Sequence, residues 1–424
     1  MPLALAPGRT HRSVSPPHRA RRRAGSPPSV IGPWLAQLLR DEARAGLLLA
    51  LAALAAVCWA SIDAHGYVAD WSHSLGRGAG VLALPGDGRG WVNDGAMTLF
   101  FLVVGLELSR ALVHGELRDR RTALVPVAGA LGGMAGAAIG YLAVAHSPAV
   151  LPGVGVPTAT DVAFALGALG VLGRRIRPEL RLFVLVLAVA DDLGSLAVLV
   201  LGYSSRLELA RVTFALVAIL AVVALRRARV SRAAPYLLAG LLCWGALVGS
   251  GVEPALAGVV AGLAIPPIGP EARLIEHRLR PVVNGAVLPV FALANAGIAL
   301  GSISLHGAAR SVLGGLLVAR VAGKAIGITL AAVVAARLLR TTLPGGARVT
   351  EMLGVGAICG VGFTVPLLVA ARAFSGAPTL LDAARAGLLL GSLIAFVLGA
   401  LVLVAVTRRG AREPGPSRAP QAPG

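Results

Sequence analysis

Lysine is almost absent from this chain. Of its 39 lysine and arginine residues only Lys324 is a lysine, and it lies inside the apolar run "RVAGKAIGITLAAVV" of residues 320 to 334. A desolvated lysine can lose its proton, whereas arginine stays charged in proteins. The position of Lys324 therefore suggests a site that needs a removable proton. The alternative is a lysine that extends from a helix end toward the interface of a membrane.

Charged residues are also scarce, at 14% of the chain against 56% hydrophobic residues, and the mean hydropathy is +0.79. Apolar runs of about twenty residues recur, which is the length of a helix that crosses a bilayer. They do not alternate polar and apolar residues as the strands of a membrane β-barrel would. Cys58, Cys243 and Cys359 show neither paired nor metal-ligand spacing, so we interpret them as small apolar residues. The chain is predicted to be an all-α membrane protein.

Acidic residues are absent before Asp41, in a stretch that is rich in arginine and proline. This composition predicts a disordered basic tail over residues 1–40, followed by a transmembrane domain over 41–407 and a second disordered tail over 408–424. Because basic residues concentrate in tails and links, we attribute the net charge of +19 to membrane topology. We expect the protein to contact membrane lipids and not nucleic acid.

The apolar runs predict about twelve spans. They begin near residues 44, 94, 122, 156, 180, 209, 234, 254, 281, 310, 350 and 383. Arginines cluster in the links after even-numbered spans, such as "RDRR" (118–121) and "RRIR" (174–177), and are rare in the other links. By the positive-inside rule, both termini are predicted to face the cytoplasm.

Two adjacent carboxylates lie in the middle of the fifth span. Asp191 and Asp192 occur in "LVLAVADDLGSLAVLVL". Placing a carboxylate there costs roughly 2.5 to 3.5 kcal/mol. Neighbours on a helix point about 100° apart, so both need a polar interior or an aqueous funnel. We interpret them as an ion or proton site, and the alternative is a structural pair bonded to a neighbouring helix.

Two spans carry features of an interrupted helix. In the fourth, Pro157 lacks a backbone donor, and Thr160 and Asp161 compete for backbone hydrogen bonds. In the eleventh, the glycine-rich segment "GVGAICGVGFTVP" (354–366) lies within an apolar run. An ordinary proline kink and a helix-packing contact are the respective alternatives.

The two interrupted spans take matching places in two trios, spans 3–5 and spans 10–12. The trios enter the membrane from opposite sides, which predicts an inverted-topology repeat with spans 4 and 11 crossing near the bilayer midplane. Lys324 lies in span ten, the counterpart of span three. An Asp–Lys pair there could take up or release a proton as a cation arrives.

Four motifs together carry a resemblance to a known protein family. They are "NDGAMTLFFLVVGLELSRAL" (93–112), "TATDVAFALG" (158–167), "LAVADDLGS" (187–195) and "CGVGFT" (359–364), and "LPVFALANAG" (288–297) supports them. Over residues 36 to 407 the chain resembles the NhaA-type sodium/proton antiporters, a family that general accounts of inverted repeats also use as an example. The resemblance implies a secondary transporter without a resident cofactor, whose transported ions are Na⁺ or Li⁺ and H⁺.

The resemblance also implies roles for single residues at the centre of the protein. Asp192 would bind Na⁺, and Asp191, its neighbour at the metal site, would pair with Lys324. Thr160 and Asp161 would lie where the interrupted helices cross.

A second group of residues is expected to serve the pH response or the ion entrance: Glu107, Arg110, Glu276, Asp94 and Glu253. Glu107 and Arg110 are three residues apart and are expected to pair on one helix face, with an ordinary interfacial ion pair as the alternative. Asp94 would belong to the region between the cytoplasm and the site. The chain departs from the family at Glu253, where relatives often have histidine, and at Pro366, where many have serine.

The resemblance implies a non-enzymatic, electrogenic exchange of cytoplasmic Na⁺ or Li⁺ for external protons by alternating access. The expected location is a bacterial inner membrane, and a homodimer through the link of residues 63–93 is a family expectation. An intramembrane aspartyl protease is the enzymatic alternative, but it needs two aspartates facing each other from separate spans, with a glycine ahead of one. A sodium-coupled symporter is the second alternative.

Overall fold

The structure, a computed structural model, describes residues 32–76, 82–114, 120–171, 176–203, 208–267 and 269–410. Within these ranges the regular elements are helices, apart from one isolated antiparallel bridge between Ser74 and Asp87. The predicted all-α class is confirmed. The first helix begins at Gly32, so it includes residues 32–40 of the predicted tail. The remainder of that tail, and residues 411–424 of the second one, lie outside the described residues.

The α-helices follow one another along the chain with short links. They are α1 (Gly32–Ile62), α2 (Ala64–Ser72), α3 (Gly88–Gly90), α4 (Met97–His114), α5 (Arg120–Leu142), α6 (Val162–Val171), α7 (Pro178–Tyr203), α8 (Leu209–Arg227), α9 (Ala234–Leu247), α10 (Leu256–Ala264), α11 (Pro270–Val282), α12 (Leu288–Asn295), α13 (Gly307–Val318), α14 (Lys324–Leu338), α15 (Val349–Ile358), α16 (Thr364–Ala373) and α17 (Pro378–Gly410). Turns of π-helix precede α4, α12 and α14, at Trp91–Ala96, Val283–Val287 and Ala319–Gly323.

Among the described residues, 7 helical segments are long and apolar enough to cross a membrane. They are Arg44–Ile62, Gly88–Arg110, Leu124–Leu142, Pro178–Tyr203, Leu209–Arg227, Gly307–Leu338 and Pro378–Val406. Shorter apolar helices at Ala234–Leu247, Val349–Ile358 and Thr364–Ala373 coincide with other predicted spans. The protein therefore has the helices of a multi-pass membrane protein.

Helices α5 and α14 approach each other closely through glycine. A Cβ atom added to Gly327 would lie 2.1 Å from the backbone oxygen of Gly132, and one added to Gly136 would lie 2.3 Å from that of Gly323. Small residues spaced four apart let helix backbones touch, which is how many membrane helices pack. This contact fixes the start of α14, and with it Lys324, in the centre of the protein.

Two non-helical segments meet at that centre. Residues 156–161 follow the 3₁₀-helix Leu151–Gly155 and precede α6, and residues 359–363 separate α15 from α16. The backbone N–H of Asp161 donates to the oxygen of Val361 at 3.0 Å, which ties the two segments together. We call these two buried segments the crossing.

Candidate ion-binding site

Lys324 and Asp191 form an ion pair that is completely buried. The Nζ atom of Lys324 lies 2.7 Å from Oδ2 of Asp191, and both side chains are 0% exposed. Lys324 also donates to the backbone oxygen of Thr158 in the crossing. Asp191 Oδ1 has no hydrogen-bond partner among the described residues. The structure thus brings together the lysine and the carboxylate that the sequence analysis paired.

Asp192 points into a different environment from its neighbour. It lines a cavity of about 70 Å³ together with Asp161, Thr160 and Thr364, and it is 4% exposed. Within the described ranges no group donates a hydrogen bond to its carboxylate. A site that holds one water needs about 10–15 Å³, so this cavity has room for a small ion with water. Because neighbours on a helix point about 100° apart, Asp191 and Asp192 on α7 have different surroundings: Asp191 contacts Lys324, and Asp192 faces the cavity.

The lining of the cavity includes side chains with oxygen atoms from the crossing and from the start of α16. Thr160 Oγ1 donates to the backbone oxygen of Cys359 at 2.8 Å. Asp161 Oδ2 accepts from Thr364 Oγ1 at 3.2 Å. Both hydroxyl oxygens keep lone pairs after donating, so they and the carboxylates offer the ligand type that hard cations prefer. No group of three or more His, Cys, Asp or Glu among the described residues forms a metal cluster, so a bound cation would use hydroxyl and water oxygens as well.

Arg320 is a central residue that the sequence analysis missed. It is 0% exposed and lies in the π-helical turn before Lys324. Its Nη1 donates to the backbone oxygen of Gly360 at 2.7 Å, and its Nη2 donates to that of Ala159 at 3.4 Å. The quoted run begins with this arginine, four residues before Lys324, so the spacing already placed both cations near one helix face.

The cavity extends toward four charged side chains, Glu107 and Arg110 on α4 and Glu276 and Arg280 on α11, which we call the Arg280 cluster. Arg280 contacts Glu107 and lies 3.2 Å from Oε1 of Glu276. Arg110 Nη1 lies 2.8 Å from Oε2 of Glu276. The expected pair between Glu107 and Arg110 is therefore wrong, because each residue finds its partner on α11 instead. Glu107 and Arg280 both line the cavity that reaches Asp192.

Asp94 and Glu253 lie together at another place, on either side of Arg372 near the end of α16. Arg372 Nη2 lies 2.9 Å from Oδ1 of Asp94, and its Nε lies 3.0 Å from Oε2 of Glu253. We call these three residues the Arg372 cluster. Asp94 precedes Glu107 by thirteen helical residues, which is about 20 Å along the axis. Asp94 therefore lies at the opposite end of this helical segment from Glu107 and Arg110, and its role stays a prediction.

Comparison with known proteins gives consistent matches. A family model described as Na⁺/H⁺ antiporter 1 matches residues 36–403. A Na⁺/H⁺ antiporter NhaA of Acidovorax sp. (strain JS42) is 42% identical over 379 residues, which cover 86% of this chain and 90% of the relative. The corresponding protein of Citrobacter koseri is 37% identical over 376 residues, covering 86% of this chain and 96% of the relative. Na⁺/H⁺ antiporter NhaA 3 of Frankia alni is 38% identical over 411 residues, covering 88% and 89%.

Proposed function

The chain belongs to the Na⁺/H⁺ antiporter 1 family, and on that premise we propose that it exchanges cytoplasmic Na⁺ or Li⁺ for external protons. One observation carries the assignment of the site. The carboxylate of Asp192 lines a cavity without a hydrogen bond from the described residues, while the adjacent Asp191 is held by Lys324. A nearly buried carboxylate without a hydrogen-bond partner is suited to bind an exchangeable ion, either a proton or a metal cation.

Competition for Asp192 couples the two ions. Na⁺ binds to the carboxylate of Asp192, with the hydroxyls of Thr160 and Thr364 and water as further oxygen ligands. A proton on the same carboxylate removes the negative charge that attracts Na⁺. One site therefore carries one kind of ion at a time, which makes the exchange obligatory.

We propose electrogenic exchange, which follows from the two protons per Na⁺ that the family resemblance implies, here counted with Lys324 protonated. Asp161, Asp191 and Asp192 are negative when ionised, and Arg320 and Lys324 are positive, so the formal sum of these described groups is one negative charge. Bound Na⁺ makes the sum zero. Two bound protons, the family stoichiometry, make it one positive charge. Each cycle then moves one net charge inward, with the membrane potential as a driving force.

The arrangement of space around Asp192 supports alternating access. The cavity passes Leu185 and Val189 and reaches Glu107 and Arg280 of the Arg280 cluster. Val156, Leu196 and Phe363 are buried in an apolar core, to which the cavity-lining residues Val103, Val283 and Leu288 also belong. We propose that the ion enters through the cavity and that a movement which opens the opposite side of the site closes this one.

The two trios of helices support the proposed inverted repeat and a total of about twelve spans. Each trio has a long apolar segment, a pair of short helical pieces around a non-helical segment, and another long helix: α5, Leu151–Val171 and α7 in one, and Gly307–Leu338, α15 with α16, and α17 in the other. The arginine-rich links support a position of the Arg280 cluster and of both termini on the cytoplasmic side, and we propose a bacterial inner membrane as the location. A homodimer through residues 63–93 is part of the same proposal.

The alternative functions fit the site less well. Asp191 is held in an ion pair and Asp192 lines a cavity, so they do not form the facing pair of an aspartyl protease. A symporter for an organic solute needs a pocket, and sites for small molecules have volumes of about 300–1,000 Å³. The cavity at Asp192 measures about 70 Å³.

Everted membrane vesicles with an imposed acid-inside gradient test the proposed function. Na⁺, Li⁺ and K⁺ are added in turn, and a pH-sensitive dye is followed between about pH 6.5 and about pH 9. We expect collapse of the gradient with Na⁺ and Li⁺ and no effect of K⁺. The absence of any response, with the protein confirmed in the membrane, would contradict the proposal. A response only in the presence of an organic solute would favour the symporter.

A further inference from the structure

We propose that Arg320 is a positioning residue whose guanidinium holds the two segments of the crossing together with a positive charge that does not depend on Lys324. The part that concerns transport rests on the proposed function, whereas the part that concerns assembly of the crossing does not.

Arg320 joins the two segments of the crossing. Its guanidinium donates to Gly360 in one segment and to Ala159 in the other, at 2.7 and 3.4 Å. Both acceptors are backbone oxygens, and the side chain is 0% exposed. An unpaired buried carbonyl group is unfavourable, so a fork of donors between the two segments stabilises their contact.

One of the two acceptors lies at a helix end that carries negative partial charge. Gly360 is the second residue after α15, where the last carbonyl groups of the helix have no helical donor. The C-terminus of a helix is equivalent to about half a negative charge. A positive charge at this end is favourable in a dry interior, where the effective dielectric constant is low.

The chain leaves space for this guanidinium at Gly362. A Cβ atom added there would lie 2.4 Å from Nη2 and 2.5 Å from Nη1 of Arg320, and 2.7 Å from the oxygen of Ala159. A side chain at residue 362 would therefore displace the guanidinium or separate the segments. The glycine in the "CGVGFT" motif has a local explanation in this contact.

Lys324 makes different bonds and has different chemistry. Its Nζ contacts Asp191 and the oxygen of Thr158. Were it the sole cation, each loss of its proton would leave the carboxylates and the end of α15 without compensation. Arginine keeps its charge at all physiological pH values, whereas a buried lysine loses its proton far more readily. The titratable and charged groups that face the two cations are Asp161, Asp191, Asp192 and Cys359.

A comparison of thermal stability separates this proposal from a general need for buried arginine. The purified full chain in detergent is compared with Arg320→Lys, Arg320→Met and Lys324→Met at about pH 6 and about pH 9. Arg385→Met is the matched control, because Arg385 is also buried, at 7% exposure, and bonds to Asp382 and Gly297 away from the crossing.

The proposal predicts a distinct pH pattern. Arg320→Lys is expected to match the wild-type Tm at the lower pH and to lose several degrees at the higher pH, where the new lysine loses its charge. Lys324→Met should lose no additional stability at the higher pH, since Arg320 still compensates the crossing. Arg385→Met should shift Tm equally at both pH values. If Arg320→Met does not accumulate, Arg320→Lys decides the matter, and a wild-type Tm at both pH values would overturn the proposal.

Transport in everted vesicles supplies a readout that a purely structural role does not move. Arg320→Met is expected to shift the pH profile of the Na⁺ response by about 1 pH unit to higher pH, because the carboxylates of the site keep their protons to higher pH when a neighbouring positive charge is gone. Arg385→Met should keep the wild-type profile. An unshifted profile in Arg320→Met would count against the proposal. A wild-type protein without any Na⁺ response would sink the proposed function, while the stability comparison would still decide the role of Arg320.

Discussion

The Arg280 cluster and the Arg372 cluster lie at opposite ends of α4 and differ in two respects. The first has two acids and two arginines, so its charges balance, and two of its members line the cavity that leads to Asp192. The second has two acids and one arginine, and Oε1 of Glu253 is buried without a partner among the described residues. The side chain of Glu253 is only 3% exposed.

This difference indicates what each end of the protein does in the conformation described. The side chains of the balanced cluster are between 13% and 41% exposed, so the cluster can separate without leaving an isolated charge in a dry place. The acid-rich cluster is bound tightly by one arginine, which joins the end of α16 to the start of α4 and to the loop before α10. We infer that the Arg280 side is open to the ion in this conformation and that the Arg372 side is closed.

The largest effect is expected at the site between the two clusters. Asp192→Asn should abolish the Na⁺ response of everted vesicles, because the amide carries no charge and takes up no proton. Asp382→Asn is the control, since Asp382 bonds to Arg385 away from the crossing. Full activity in Asp192→Asn would show that the cavity lined by this residue is not the ion site. The Arg280 and Arg372 clusters could then not be interpreted as the two sides of that site.

The next effect separates the two arginines. Arg372→Met leaves Asp94 and Glu253 facing each other and is expected to lower stability by about 1–3 kcal/mol. Arg110→Met is the matched control, because both side chains are 41% exposed and Glu276 keeps Arg280 as a partner. Its expected loss is about 0–1 kcal/mol. Equal shifts of Tm in the two variants would contradict the distinction between the clusters.

A charge exchange examines the pair between Glu107 and Arg280. Arg280→Glu places two acids opposite each other at the mouth of the cavity and should lower the apparent KM for Na⁺ about two- to fivefold, because the added negative charge attracts the cation. The double variant with Glu107→Arg should return toward the wild-type value, since the attraction is restored with opposite polarity. The dye response as a function of Na⁺ concentration measures this. A double variant no better than the single one would mean that position, and not charge alone, is required.

The smallest effect concerns the excess acid. Glu253→Gln keeps an acceptor for Arg372 and leaves Asp94 as its charged partner, so stability should change by less than about 0.5 kcal/mol. Glu276→Gln should lower stability by about 0.5–1 kcal/mol, because two arginines then share Glu107. The Tm values of the two variants, measured side by side, test the order. The reverse order would contradict the conclusion that Glu253 is an excess acid in the Arg372 cluster.

Several features of the site could be predicted from the sequence because they depend on local rules. Adjacent carboxylates in an apolar run need polar surroundings. In the structure Asp191 pairs with Lys324, and Asp192 lines the cavity. The contact of Thr160 and Asp161 with the glycine-rich segment also agrees with the motif analysis.

Other features depend on contacts that no local rule contains. The spacing of Glu107 and Arg110 favours a pair within one helix, but α11 supplies longer-range partners to both. Glu253 and Arg372 are far apart in sequence, and only the packing of α10 and α16 brings them together. Arg320 has no compositional signal, because it is one arginine among many in the chain, whereas Lys324 is the single lysine.

The most direct test of the central claim measures protons in the absence of a membrane. Na⁺ is added to the purified protein in weakly buffered detergent solution near the pH at which transport is active, and the protons released are recorded with a dye. If Na⁺ and protons compete for Asp192, the wild-type protein releases protons on addition of Na⁺ and Li⁺ but not K⁺, and Asp192→Asn releases none. Undiminished proton release from Asp192→Asn would contradict the account.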